Sequence, residues 1–203
     1  ANLLIFNGNK VVKEYYINDY GNQIVNFTES VFFRLREIKF NEKFINKESL
    51  YPGEYVIDIA KKILIDTPEI DLTNFEKIFP ILSEISLNHS MILIKDDLKS
   101  LGITHDNFVS EKFIVKKDLV SKSIKYLQDK KYVEEGYLNP PKGEESKDWK
   151  KIKRLIFKST LFGDDTDRAL QKNDGSWTYF ANDIAYHADK VSRNYNYLIN
   201  VLG

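Results

Sequence analysis

The chain contains no cysteine, a single methionine, three histidines and five prolines among its 203 residues. The missing cysteines exclude disulfides and thiolate metal sites, and they fit a reducing compartment. His89, His105 and His187 stand far apart, with no H-x-x-H or H-E-x-x-H pair, so the sequence offers no zinc centre and no metal site is expected. No apolar run reaches the roughly 18 residues that a membrane-spanning helix needs. The start, "ANLLIFNGNKVV", has neither a basic leader nor a small-residue cleavage site. A soluble cytoplasmic protein is the expectation. There is also no excess of one charge: 30 Lys and Arg balance 30 Asp and Glu, so any nucleic-acid contact has to be local.

What is present is a large apolar and aromatic fraction, 42% and 13% of the residues, enough for a buried core. "VVKEYYI" (11–17) is β-branched and aromatic and reads as a strand. The turn "NDYGNQ" follows, and then Ile24, Phe27, Val31, Leu35 and Ile38 recur at helical spacing. A second amphipathic helix is expected in "YPGEYVIDIAKKIL" (51–64). A third is expected behind the capping-box spacing of Thr73 and Glu76, with Pro80 kinking or restarting it and Gly102 as its stop. "NFVSEKFIV" (107–115) reads as a strand or extended segment, and 117–131 as a helix. "YVEEGYLN" (132–139) reads as a small hairpin around Gly136, and 140–153 as a charged, Pro-rich loop. Strands on either side of Asn173-Asp174-Gly175, a helix over 179–192 and a strand over 197–202 complete the pattern. Both ends read as elements cut midway. The order implies an α/β fold, a partial doubly wound core split by a mostly helical insertion.

Four places carry polar groups in patterns that suit chemistry. Asn18, Asp19, Gly21 and Gln23 lie between a strand and a helix, where open α/β sheets bind ligands; equally, they suit capping of the helix. Neither nucleotide fingerprint, G-x-G-x-x-G or G-x-x-x-x-G-K-[ST], occurs there. Tyr179, Asp183 and His187 fall one helical turn apart. A carboxylate beside a phenol ring suits a guanidinium or ammonium ligand, and the same stripe suits a solvated helix face with His187 as packing. Glu111, alone among apolar neighbours, points either to solvent or inward to a partner. Trp149 amid Lys150, Lys151, Lys153 and Arg154 fits either a local nucleic-acid footprint or a solvated loop with acidic Glu144, Glu145 and Asp148 beside it.

Three segments, "EYYINDYGNQIVNFTESVFFR", "YPGEYVIDIA" and "DDTDRALQKNDGSWTYFANDIAYHADKV" with "NYLINVLG", together resemble the class I arginyl-tRNA synthetases of bacteria. "LGITHDNFVSEK" and "YLQDKKYVEEGYLNPPKG" fit the same order. The resemblance implies a Rossmann-like catalytic core, here residues 1–38 and 166–203, with a connective insertion over 39–165. It implies ATP with magnesium, arginine and tRNA as the ligands of the intact enzyme. It also implies that Tyr179, Asp183 and Glu111 hold the arginine side chain, with Asn18, Asp19, Gly21 and Gln23 lining the active site. The family's H-x-G-H and K-M-S-K-S motifs are absent from these residues. The chain is therefore expected to be a catalytic-domain fragment with no catalytic residue of its own, no cofactor bound and no activity alone. The alternative is a free-standing arginine-binding or interaction module. A core sheet short of strands would have unpaired edges that invite self-association.

Overall fold

The computed structural model describes residues 1–45, 47–138 and 152–201, a mixed arrangement of helices and small sheets. It forms two compact units, residues 1–110 and 111–203. The expected loop over 140–153 and the Trp149 cluster fall largely outside the described residues.

The first unit is built on three helices. In α2 (Asn22–Phe40), Phe27, Val31 and Leu35 recur every fourth residue and are buried, which places one stripe against α3 (Glu54–Asp66) and α4 (Phe75–Ser100). Val56, Ile59, Ala60 and Ile63 of α3 and Ile78 and Leu82 of α4 complete that core, closed below by Ile70 and Leu72. The guanidinium of Arg36 donates to both carboxylate oxygens of Glu42 and to the Leu72 carbonyl, tying the segment after α3 to α2.

Two expectations for α4 change. Asn74 is its N-cap, accepting from the Lys77 amide at 3.0 Å, whereas Thr73 donates its hydroxyl to Asp71 at 2.7 Å. The Asx-type turn at Asp71 captures the threonine, which leaves the asparagine to cap. The helix also runs unbroken through Pro80, because a proline this close to the start deprives only the Glu76 carbonyl of a helical partner.

A short helix, α1 (Asn2–Phe6), precedes β1 (Glu14–Ile17). Strand β1 pairs in parallel with β2 (Asn107–Ser110), in the register Glu14 to Asn107 through Ile17 to Ser110. The expected strand over 107–115 ends at Ser110, where the chain turns into α5 (Glu111–Lys116).

The second unit packs α7 (Tyr179–Ser192) on α5 and α6 (Leu119–Asp129), with Ile114, Val120, Ile124, Ala181 and Ala185 buried. Asp118 in the left-handed region, φ 54°, makes the corner between α5 and α6. Beside them lies an antiparallel sheet in the order β3 (Val133–Gly136), β4 (Arg154–Phe157), β5 (Arg168–Ala169). The expected hairpin around Gly136 does not form. Gly136 instead ends β3 opposite Arg154, and a Cβ there would meet the Ile156 side chain at 3.0 Å. The Asn173-Asp174-Gly175 turn does form: the Lys172 amide donates to the Ser176 carbonyl at 2.7 Å, and Gln171 bridges Trp177. Of the strand expected over 197–202, the described residues 197–201 join no described strand and expose Tyr197 and Val201. Apolar β-branched sequence becomes a strand only where a neighbouring strand supplies the other half of each hydrogen bond.

Candidate functional site

Helix α7 begins at Thr178, whose hydroxyl donates to the Ala169 carbonyl at 3.0 Å and accepts from the Ala181 amide at 3.4 Å. This double use of one hydroxyl fixes the start of the helix against β5. Tyr179 then occupies the first helical position with its side chain mostly in solvent, 78% exposed. Asp183 follows one turn later on the same face and is half-buried.

Burial is the main influence on Asp183 and raises its pKa above the ordinary 3.8; His187 and Lys190 oppose that rise. One turn further, burial lowers the pKa of His187 below 6.5, helped by Lys190 and opposed by Asp183. Both groups are thus biased toward their neutral forms. For Asp183 the protonated form fits the fold better, so its contribution to stability is present below the ordinary aspartate pKa and fades as pH rises through the elevated value. For His187 the contribution is present above the ordinary histidine pKa and fades as pH falls through the lowered one. NMR titration is expected to give an Asp183 midpoint above that of exposed aspartates and a His187 midpoint below that of exposed histidines. Midpoints equal to those of exposed aspartates and histidines would show that the helix face is solvated.

Glu111 resolves its two alternatives. It opens α5 and is buried, 8% exposed, with Oε1 accepting from Asn182 Nδ2 at 2.8 Å. The segment is helical from Glu111 onward, so its side chain is directed by the α5–α7 packing and not by strand alternation. Asn182, itself 7% exposed and adjacent to Asp183, is the residue that sequence reasoning passed over. Its one available signal was an asparagine within a helix at a position with apolar periodicity, where that residue type is disfavoured.

Tyr179, Asp183, Asn182 and Glu111 all belong to the second unit. Asn18, Asp19, Gly21 and Gln23 belong to the first. Gly21 is the N-cap of α2 at φ 86°, a conformation that favours glycine, and as a glycine it has no side chain with which to cap. Asp19 accepts from the Ser110 hydroxyl at 2.6 Å, and Gln23 Nε2 lies 3.5 Å and 3.4 Å from the Asn18 and Tyr20 carbonyls. The turn is held across the β1–β2 pair. A cavity of about 420 Å³ in the second unit is lined by Arg154, Lys172, Asp174 and Thr178, with none of the three expected arginine contacts in its wall. Among the described residues, no cluster of His, Asp or Glu is arranged to hold a metal ion, and no helix is long and apolar enough to cross a membrane.

This helix-rich α/β chain is similar in structure to a solved chain assigned as an arginyl-tRNA synthetase from Campylobacter jejuni. The TM-score is 0.77 at 30% identity, covering 95% of this chain and 39% of that one. No family model matches the chain. It is 54% identical to the arginine-tRNA ligase of Pelagibacter ubique and 49% identical to that of Ehrlichia chaffeensis, in both cases across its whole length. The chain spans about a third of those ligases, 35% of each. The sequence thus resembles a segment of the arginine-tRNA ligases along its whole length.

Proposed function

We propose that this segment carries the arginine-recognising part of an arginine-tRNA ligase, with Tyr179, Asp183 and Glu111 as the side-chain contacts. In the intact enzyme, ATP with magnesium activates the arginine carboxylate and tRNA receives the arginyl group. The observation that carries the reading is the arrangement on α7. An exposed tyrosine and a carboxylate share one face of the helix, and a second, buried carboxylate is held by the residue next to the first. A guanidinium is planar, permanently charged and offers paired N–H donors. Asp183 can accept two of them while the Tyr179 ring covers the flat face. A lysine ammonium lacks that fork.

Residues 1–38 and 166–203 are read as parts of a Rossmann-like core and 39–165 as the connective insertion. The parallel β1–β2 pair supports such a core, with β2 joining it from within the insertion. The polar turn from Asn18 to Gln23, at the carboxyl end of β1, fits the place where such sheets bind ligands, and we assign it to the active-site lining. The H-x-G-H and K-M-S-K-S motifs that handle the ATP phosphates in this family are absent from the 203 residues. These residues alone are therefore expected to show no arginine-dependent ATP-pyrophosphate exchange.

Calorimetry on the chain tests the pocket directly. Arginine is expected to release heat and lysine to release none, with the arginine signal lost in Asp183→Asn. Equal binding of the two amino acids, or an Asp183→Asn chain that binds as well as the parent, would sink the assignment.

A further inference from the structure

We propose that Asn182 is a positioning residue: its side-chain amide holds the Glu111 carboxylate in the orientation that the arginine guanidinium meets. The inference rests on the arginine-binding role proposed for Glu111, and it concerns a residue that touches no ligand itself.

The geometry begins with burial. Asn182 and Glu111 are 7% and 8% exposed, and Nδ2 of the amide donates to Oε1 of the carboxylate at 2.8 Å. The orientation of the amide follows from its partner. A carboxylate only accepts, so the NH₂ end must face Glu111 and the carbonyl end must face away. That carbonyl, Oδ1, is buried with no hydrogen-bond partner. Leaving a buried acceptor unpaired is unfavourable, and an apolar residue of similar size would avoid it. The position sits in an otherwise apolar stripe with Ala181, Ala185 and Tyr186, all buried, so a leucine would suit the packing. What a leucine lacks is the donor. The asparagine is thus a poor choice for the helix and a good one for Glu111.

The location gives the bond its consequence. Asn182 lies between Tyr179 and Asp183 in sequence and reaches from α7 to the first residue of α5. A carboxylate held from α7 is referenced to the same helix that presents Tyr179 and Asp183. A guanidinium bridging two carboxylates depends on their separation, and a single rigid helix end sets it. Without the amide, Glu111 keeps its charge but loses one of the restraints on its rotamer.

The test separates positioning from mere stability. Asn182→Leu, Asn182→Ala and Asn182→Ser are introduced into the intact ligase carrying this segment, and arginine activation is followed by ATP-pyrophosphate exchange. In Asn182→Leu and Asn182→Ala, the KM for arginine is expected to rise roughly 10- to 100-fold, as for loss of a hydrogen bond to a charged group. The KM for ATP should stay unchanged, and Asn182→Ser, which keeps a hydroxyl donor, should recover part of the loss. In the 203-residue chain, carbon-detected NMR of the Glu111 carboxyl should show its titration midpoint higher in Asn182→Leu than in the parent, because the ionised form has lost a donor. An unchanged arginine KM, or an unmoved Glu111 midpoint in a folded Asn182→Leu chain, overturns the proposal. If the unsubstituted ligase fails to activate arginine, the arginine-ligase reading fails. The Glu111 titration then decides the positioning role alone.

Discussion

Replacing Asp183 with Asn in the intact ligase is expected to lower kcat/KM for arginine roughly 100- to 1,000-fold, the range for losing one partner of a buried charge pair. The substitution keeps the size and shape of the side chain and removes only its charge and one acceptor. Its effect on the fold should be small and favourable. Burial already makes ionised Asp183 a burden at neutral pH, so a neutral amide relieves that burden. The variant is therefore expected to melt no lower than the parent while losing arginine. That combination distinguishes a binding carboxylate from a structural one. The same reasoning fixes the pH dependence: arginine affinity should fall on acidification at a higher pH than an ordinary aspartate would give, because the site must be ionised to pair with the ligand. Steady-state exchange between pH 4 and 8 measures it. Loss of activity together with a large drop in melting temperature would point instead to a structural role.

Leu35→Ala is expected to lower the unfolding free energy of the first unit by roughly 3 to 5 kcal/mol, measured by urea denaturation of the chain followed by tryptophan-independent helical CD. Leu35 is fully buried at the centre of the α2 stripe. Its side chain packs in the cluster formed with α3 and α4, and three helices meeting at one point cannot all relax into the space left by three carbons. Ile38, three residues on and 41% exposed, is the internal comparison. Ile38→Ala should cost under about 1 kcal/mol, since an exposed side chain has little transfer free energy to lose. Similar losses for the two variants would contradict the packing described for α2.

Helices α2, α3 and α7 were legible in the sequence because each carries its own signal: apolar residues every three or four positions on one buried stripe. The Asn173-Asp174-Gly175 turn was legible for the same reason, its conformational demand being local. The pairing of Gly136 with Arg154 was not, because it joins segments far apart in the chain and nothing in "YVEEGYLN" names its partner. The misread cap at Thr73 shows two local motifs competing for one hydroxyl, with Asp71 winning it. At the candidate site, Tyr179, Asp183 and Glu111 were proposed from family resemblance. The support beneath Glu111 was hidden, since a buried asparagine looks like any polar helix residue until its partner is placed opposite it.

The parallel pair of β1 and β2 has a consequence for how the first unit assembles. It joins Glu14 to Asn107, 93 residues apart. Closing a loop of that length costs about 2 kcal/mol more chain entropy than closing one of about ten residues. The three helices lying between the strands shorten that effective loop once they pack, so the strands are expected to zip up after the helical core has formed. The bond from Ser110 to Asp19 exists only when they have done so. The polar turn at the end of β1 is therefore a late product of folding, and a ligand that recognises it would engage only chains whose core is already complete.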